Sequence, residues 1–87
     1  MTVFVDTSAL LALLDGRDDN HVAAVQAWQA LADASARLVT TNYVVVETTA
    51  VAQNRLGVAA VRALMHDVVP LLDVVFVDET THASSVA

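Results

Sequence analysis

The chain has 87 residues, 56% of them hydrophobic, 5% aromatic and none of them cysteine; this suits one small domain and excludes disulfide staples, thiolate metal sites and cysteine nucleophiles. Ten acidic residues against four basic ones leave a formal charge of −6, which excludes a broad cationic face for nucleic acid; a polyanionic substrate would need a bound divalent cation to supply the missing charge. No apolar run approaches the roughly 18 uncharged residues of a spanning helix, and the N-terminus lacks a basic flank with a small-residue cleavage site, so a soluble, cytoplasmic protein with no membrane contact is expected.

The first element is the short β-type run "VFV" at 3–5, read as a strand buried on both faces. In "TSALLALLDG" the period changes: Leu10, Leu11, Leu13 and Leu14 fall on a helical stripe, Thr7 or Ser8 is available as a cap, and Asp15-Gly16 ends the helix. The next helix, within 18–36, places Val22, Val25, Trp28, Leu31 and Ala32 on one face, with Asp18 or Asp19 near its positive end. "RLVTTN" is a second buried strand. A helix from Tyr43 to Leu56 follows, with Thr41 or Asn42 as its cap and Gly57 as its stop. Val58, Val61, Leu64, Met65 and Val68 continue the helical pattern until Pro70 breaks it. "LLDVVFVD" reads as a third strand, and "ETTHASSVA" as a last helix capped by Asp78. Alternating strands and helices predict an α/β domain with a parallel sheet, right-handed crossovers and helices on both faces. The last helix meets no stop signal before Ala87, so the domain is expected to be incomplete at its C-terminus.

Two acids stand out. Asp6 lies where a parallel strand ends, the edge at which α/β sheets collect ligands; the bland alternative is a helix cap, a role that Thr7 or Ser8 could also fill. Glu47 is surrounded by valine, threonine and alanine, with no Lys or Arg within four positions. A glutamate buried there would need a cation or a proton. The bland alternative is a narrow exposed stripe shared with Thr48.

The segments "VFVDTSALLALLDGRDDNHVAA", "TNYVVVETTAV" and "VFVDETTHASSVA" together resemble the PIN-domain ribonucleases, in particular the VapC-like toxins of bacterial toxin-antitoxin modules, along the entire chain and in order. The resemblance implies a three-layer fold with a parallel sheet and a site where carboxylates gather magnesium or manganese and RNA is cut by metal-activated water. By the same resemblance Asp6 and Glu47 are metal-ligating and catalytic, and Ser8 is a minor catalytic contributor beside the metal. The implied partners are RNA and a cognate antitoxin, and a homodimer or heteromer is expected. The family's remaining acids have no counterpart here; Asp78 does not replace them, and the 87 residues alone are expected to be inactive or impaired.

A metal ion with a few carboxylates and waters explains how an acidic domain could act on an anionic polymer. The main alternative is a non-catalytic interaction module that binds an antitoxin or itself. A phosphatase with Asp6 as nucleophile ranks last, because it requires an acid two residues on, where Ser8 stands. His21, His66 and His82 are read as surface or capping residues and Trp28 as core. Arg17 is read as a partner of Asp15 and Asp19 or a guide for RNA. Asp15, Asp18 and Asp19 lack the spacing of a calcium loop.

Overall fold

A computed structural model describes residues 1–78. In chain order the elements are β1 (Thr2–Phe4), α1 (Thr7–Leu14), α2 (His21–Asp33), β2 (Arg37–Thr41), α3 (Asn42–Arg55), α4 (Val58–Ala63) and β3 (Asp73–Val75). The strands form one parallel sheet in the order β1-β2-β3. The α/β class and the parallel sheet are as the alternation of elements predicts.

Register decides which side chains meet. Val3 pairs with Leu38, and Thr40 with Val74, so these side chains share one face. There Val5, Leu10, Leu38 and Leu72 form the buried core, and Leu13, Trp28, Leu31, Val44 and Val68 pack against it. Strand order follows chain order, so right-handed crossovers carry both connections over this same face. The other face carries Phe4 beside Val39 and Thr41 beside Val75. Phe4 is 57% exposed. β1 is thus an edge strand covered on one side among the described residues, not the doubly buried strand that three consecutive apolar residues suggest. The described residues supply the sheet and one helical layer; the helix expected over 79–87 lies outside them.

The helices begin and end for local reasons. The Thr41 side chain accepts the Val44 N–H and caps α3. α3 closes when the N–H groups of Leu56 and Gly57 both reach the Ala52 carbonyl, at 2.8 and 3.0 Å. Gly57 then takes φ +93° and ψ −177°, a region open essentially to glycine alone. After α4 the helical path persists in altered form: a wide π-type turn spans Leu64–Val68 and a tight turn spans Val69–Leu71. Pro70 is the cause we assign, because it lacks an N–H and its ring would collide with the carbonyl four residues back. β3 is shorter than the expected 71–78. On α2, Trp28 and Leu31 face the core as predicted, whereas Val22 and Ala32 are exposed.

β1 is fastened where it matters. The Val5 N–H donates to the Val39 carbonyl at 2.8 Å, and the buried Thr40 hydroxyl donates to the Val5 carbonyl at 2.8 Å. The residue that follows this double tie is Asp6.

Candidate metal centre

Asp6 has extended backbone angles, and its Oδ1 accepts the Ala9 N–H at 2.9 Å. It is therefore the cap of α1, in place of Thr7 or Ser8. A carboxylate suits that position because the first turn of a helix presents free N–H groups and a partial positive charge. The cap employs one carboxylate oxygen, and the residue is exposed. Capping and ligand binding are compatible here, because the hydrogen bond from the Ala9 N–H engages one carboxylate oxygen of an exposed residue.

Glu47 departs from expectation. It is exposed, and the buried residues of α3 are Thr48 and Ala52. These face inward where α3 packs on α1, whose buried residues are Leu10 and Ala12. The polar stripe with Thr48 does not exist either: Thr48 is fully buried and its hydroxyl has no hydrogen-bond partner. The outer face of α3 carries Tyr43, Val46, Glu47 and Ala50. Valines and alanines surround this helix on all sides, so composition could not tell its inner face from its outer one.

Asp6 and Glu47 follow the carboxyl ends of adjacent parallel strands. Glu47 lies five residues beyond the start of α3, about 7 Å along the helix axis at about 1.5 Å per residue. Among the described residues, no three of the acids and histidines lie close enough together to hold a metal ion. Among the described residues the exposed acids beyond the carboxyl ends of the strands are Asp6, Glu47 and, past β3, Asp78; carboxylates are hard oxygen ligands of the kind that hold magnesium together with waters and substrate phosphate. Ser8 is exposed on the first turn of α1. It lines an open hollow of about 620 Å³ with Asp15, Asp18, Asn20 and Arg55, to which neither Asp6 nor Glu47 contributes. This hollow and the carboxylates of Asp6 and Glu47 are therefore separate features.

Asn42 is a structural residue that sequence reasoning took only as a possible cap. Its Nδ2 donates to the Val77 carbonyl at 3.2 Å, and its Oδ1 accepts the Val77 N–H at 2.8 Å. The side-chain amide replaces a strand partner beyond the last β2–β3 pair, Thr41 with Val75. It thereby holds the chain extended toward Asp78, which is exposed. An amide residue immediately after a Thr cap was the available signal.

The α1–α2 loop is built by its acids. Asp15 Oδ1 accepts both the backbone N–H and the Nε–H of Arg17, at 3.0 and 3.3 Å. The backbone N–H of Arg17 first, and then its guanidinium, hold the Asp15 carboxyl below its ordinary value of 3.8. Asp18 Oδ1 accepts the Asn20 N–H at 2.8 Å. His21 Nδ1 lies 2.7 Å from the Ala12 carbonyl, so the imidazole caps the end of α1, a role within the reading made from sequence. His66 is exposed, and His82 lies outside the described residues.

Comparison with known proteins identifies a family and solved structures of similar fold. The PIN domain family matches residues 3–87. The crystal structure of the Mycobacterium tuberculosis toxin VapC20, described as cleaving the sarcin-ricin loop, matches with a TM-score of 0.70 and 27% identity over 98% of this chain. The present chain spans 63% of the length of that toxin. No curated protein sequence matches.

Proposed function

Because the chain belongs to the PIN-domain family, we propose that it acts as a metal-dependent endoribonuclease of the VapC-like toxin type. The observation that carries this reading is the pair Asp6 and Glu47, both exposed beyond the carboxyl ends of adjacent parallel strands in a fold that matches a solved VapC toxin. Asp6 and Glu47 would hold magnesium or manganese. The ion would supply the charge that draws in a phosphodiester and would activate the attacking water. The chain's own part is positional: the Val5–Val39 and Thr40–Val5 bonds fix Asp6, the Ala9 N–H orients its carboxylate, and Ser8 offers a hydroxyl on the first turn of α1. Asp6 and Glu47 also keep the edge acidic, which disfavours RNA until a cation is bound.

The test is cleavage of a structured ribosomal RNA loop in magnesium or manganese. We expect at most weak cutting by these 87 residues alone, and loss of whatever cutting they show with a chelator and in Asp6→Asn and Glu47→Gln. Metal-dependent cutting that survives both substitutions would reject the assignment.

The open sheet face with Phe4 and Val75 supports the second reading, association with an antitoxin or with another copy in the cytoplasm. A purified protein that sediments as a monomer at about 50 μM, a concentration at which exposed apolar patches commonly drive association, and that binds no apolar dye would count against it.

A further inference from the structure

The chain contains two phenylalanines, one tyrosine and one tryptophan, and among the described residues only Trp28 packs against the core. In so small a domain, aromatic area left in water forgoes a large share of the available stabilisation. Two of the exposed rings stand at the sheet's carboxyl edge. Tyr43, on the first turn of α3, is 38% exposed, and Phe76, just beyond β3, is 83% exposed. They are tied to one frame: Asn42 precedes Tyr43, Val77 follows Phe76, and Asn42 and Val77 share two hydrogen bonds. Tyr43 is also four residues before Glu47, so the two side chains are neighbours on the outer face of α3, with Cβ atoms about 6 Å apart.

We propose that Tyr43 and Phe76 form a stacking platform for unpaired nucleobases of an RNA loop or single strand, beside Glu47. The proposal rests on the ribonuclease reading and adds how an acidic chain would grip its substrate. Phosphate contacts require cations, and the four basic residues are all arginines placed elsewhere: Arg17 pairs with Asp15, Arg37 pairs with Asp73 across β2 and β3, Arg55 borders the hollow beside α1, and Arg62 lies on α4. Stacking needs no charge, tolerates any base and works on bases that are free of a duplex. The Asn42–Val77 hydrogen bonds favour this use, because they fix the backbone that carries both residues and so lower the freedom lost when a base arrives.

The experiment is fluorescence anisotropy of a labelled single-stranded RNA at low salt with calcium in place of magnesium or manganese, so that a cation screens the acidic edge while binding is read apart from cleavage. Wild type, Tyr43→Ala, Tyr43→Phe and Phe76→Ala are compared, each also against an abasic strand of equal length. Tyr43→Ala and Phe76→Ala should each weaken binding roughly 5- to 100-fold, the range seen for lost base–aromatic stacks. Tyr43→Phe should stay within about twofold of wild type, since the ring remains, and the abasic strand should bind weakly to all four. Phe76 is so exposed that its substitution tests the platform even where Tyr43→Ala unfolds. Any of three results overturns the proposal: a wild type that binds the abasic strand as well as RNA, alanine variants that bind RNA as tightly as wild type, or a Tyr43→Phe loss equal to that of Tyr43→Ala. Alanine variants that bind RNA normally but lose a protein partner would assign the rings to that partner and overturn it too. Metal-dependent cutting that survives Asp6→Asn and Glu47→Gln would reject the nuclease reading while leaving these binding results to stand by themselves.

Discussion

Asp6 illustrates how one side chain can hold two jobs that substitutions separate. Asparagine caps a helix about as well as aspartate but is a poor metal ligand, whereas alanine does neither; losing a cap costs about 1 kcal/mol. In thermal melts, Asp6→Asn should therefore unfold near the wild-type temperature without metal yet lose the rise that manganese gives the wild type. Asp6→Ala should melt lower under both conditions. An equal manganese shift in wild type and Asp6→Asn would remove Asp6 from the metal site. Thr48 offers the opposite case, a polar group with no evident task. Its buried hydroxyl has no hydrogen-bond partner in the structure, and valine has nearly the same shape. Thr48→Val should raise stability by about 1 kcal/mol, seen as a higher urea midpoint with an unchanged slope. A lower midpoint would mean that the hydroxyl is satisfied in solution.

The elements were legible to the extent that their ends carry local chemistry. Thr41 capping α3, Gly57 stopping it and Pro70 breaking the path after α4 act within a few residues, so the sequence discloses them. Which side of α3 faces inward is settled by packing on α1, a long-range fact, and that is why Glu47 was expected inside and lies outside. The candidate acids themselves were readable, because strand-then-aspartate and glutamate-in-helix are patterns of residue type. Asn42 as a clamp was not, because its partner Val77 lies 35 residues away. Gly57 gives the prediction at this scale. A Cβ there would meet nothing within 4 Å, so space is no obstacle and the cost is backbone strain alone. Gly57→Ala should destabilise by about 1–3 kcal/mol, measured by denaturant unfolding. A neutral result would show that the α3–α4 junction relaxes into another conformation.

At the scale of the whole molecule, order matters as much as contact. The tie between Thr40 and Val5 and the clamp between Asn42 and Val77 each join residues 35 apart, and the Arg37–Asp73 ion pair joins residues 36 apart. Closing such loops has an entropic cost that must be met before the contacts reward it. β2 supplies Thr40 for the closure onto the end of β1 and Arg37 for the closure onto β3, since it is the strand between the other two. The sheet should therefore form late and together, after local helix formation, and folding should be slower than for a helical bundle of the same size. Leu38→Ala, in the buried middle of β2, should slow refolding in stopped-flow experiments; Val46→Ala, on the exposed face of α3, should leave the refolding rate nearly unchanged. Until β2 is in place, Asp6 and Glu47 belong to separate pieces of chain, so a newly made molecule would bring the two acids to one sheet edge only at the final, cooperative step of folding.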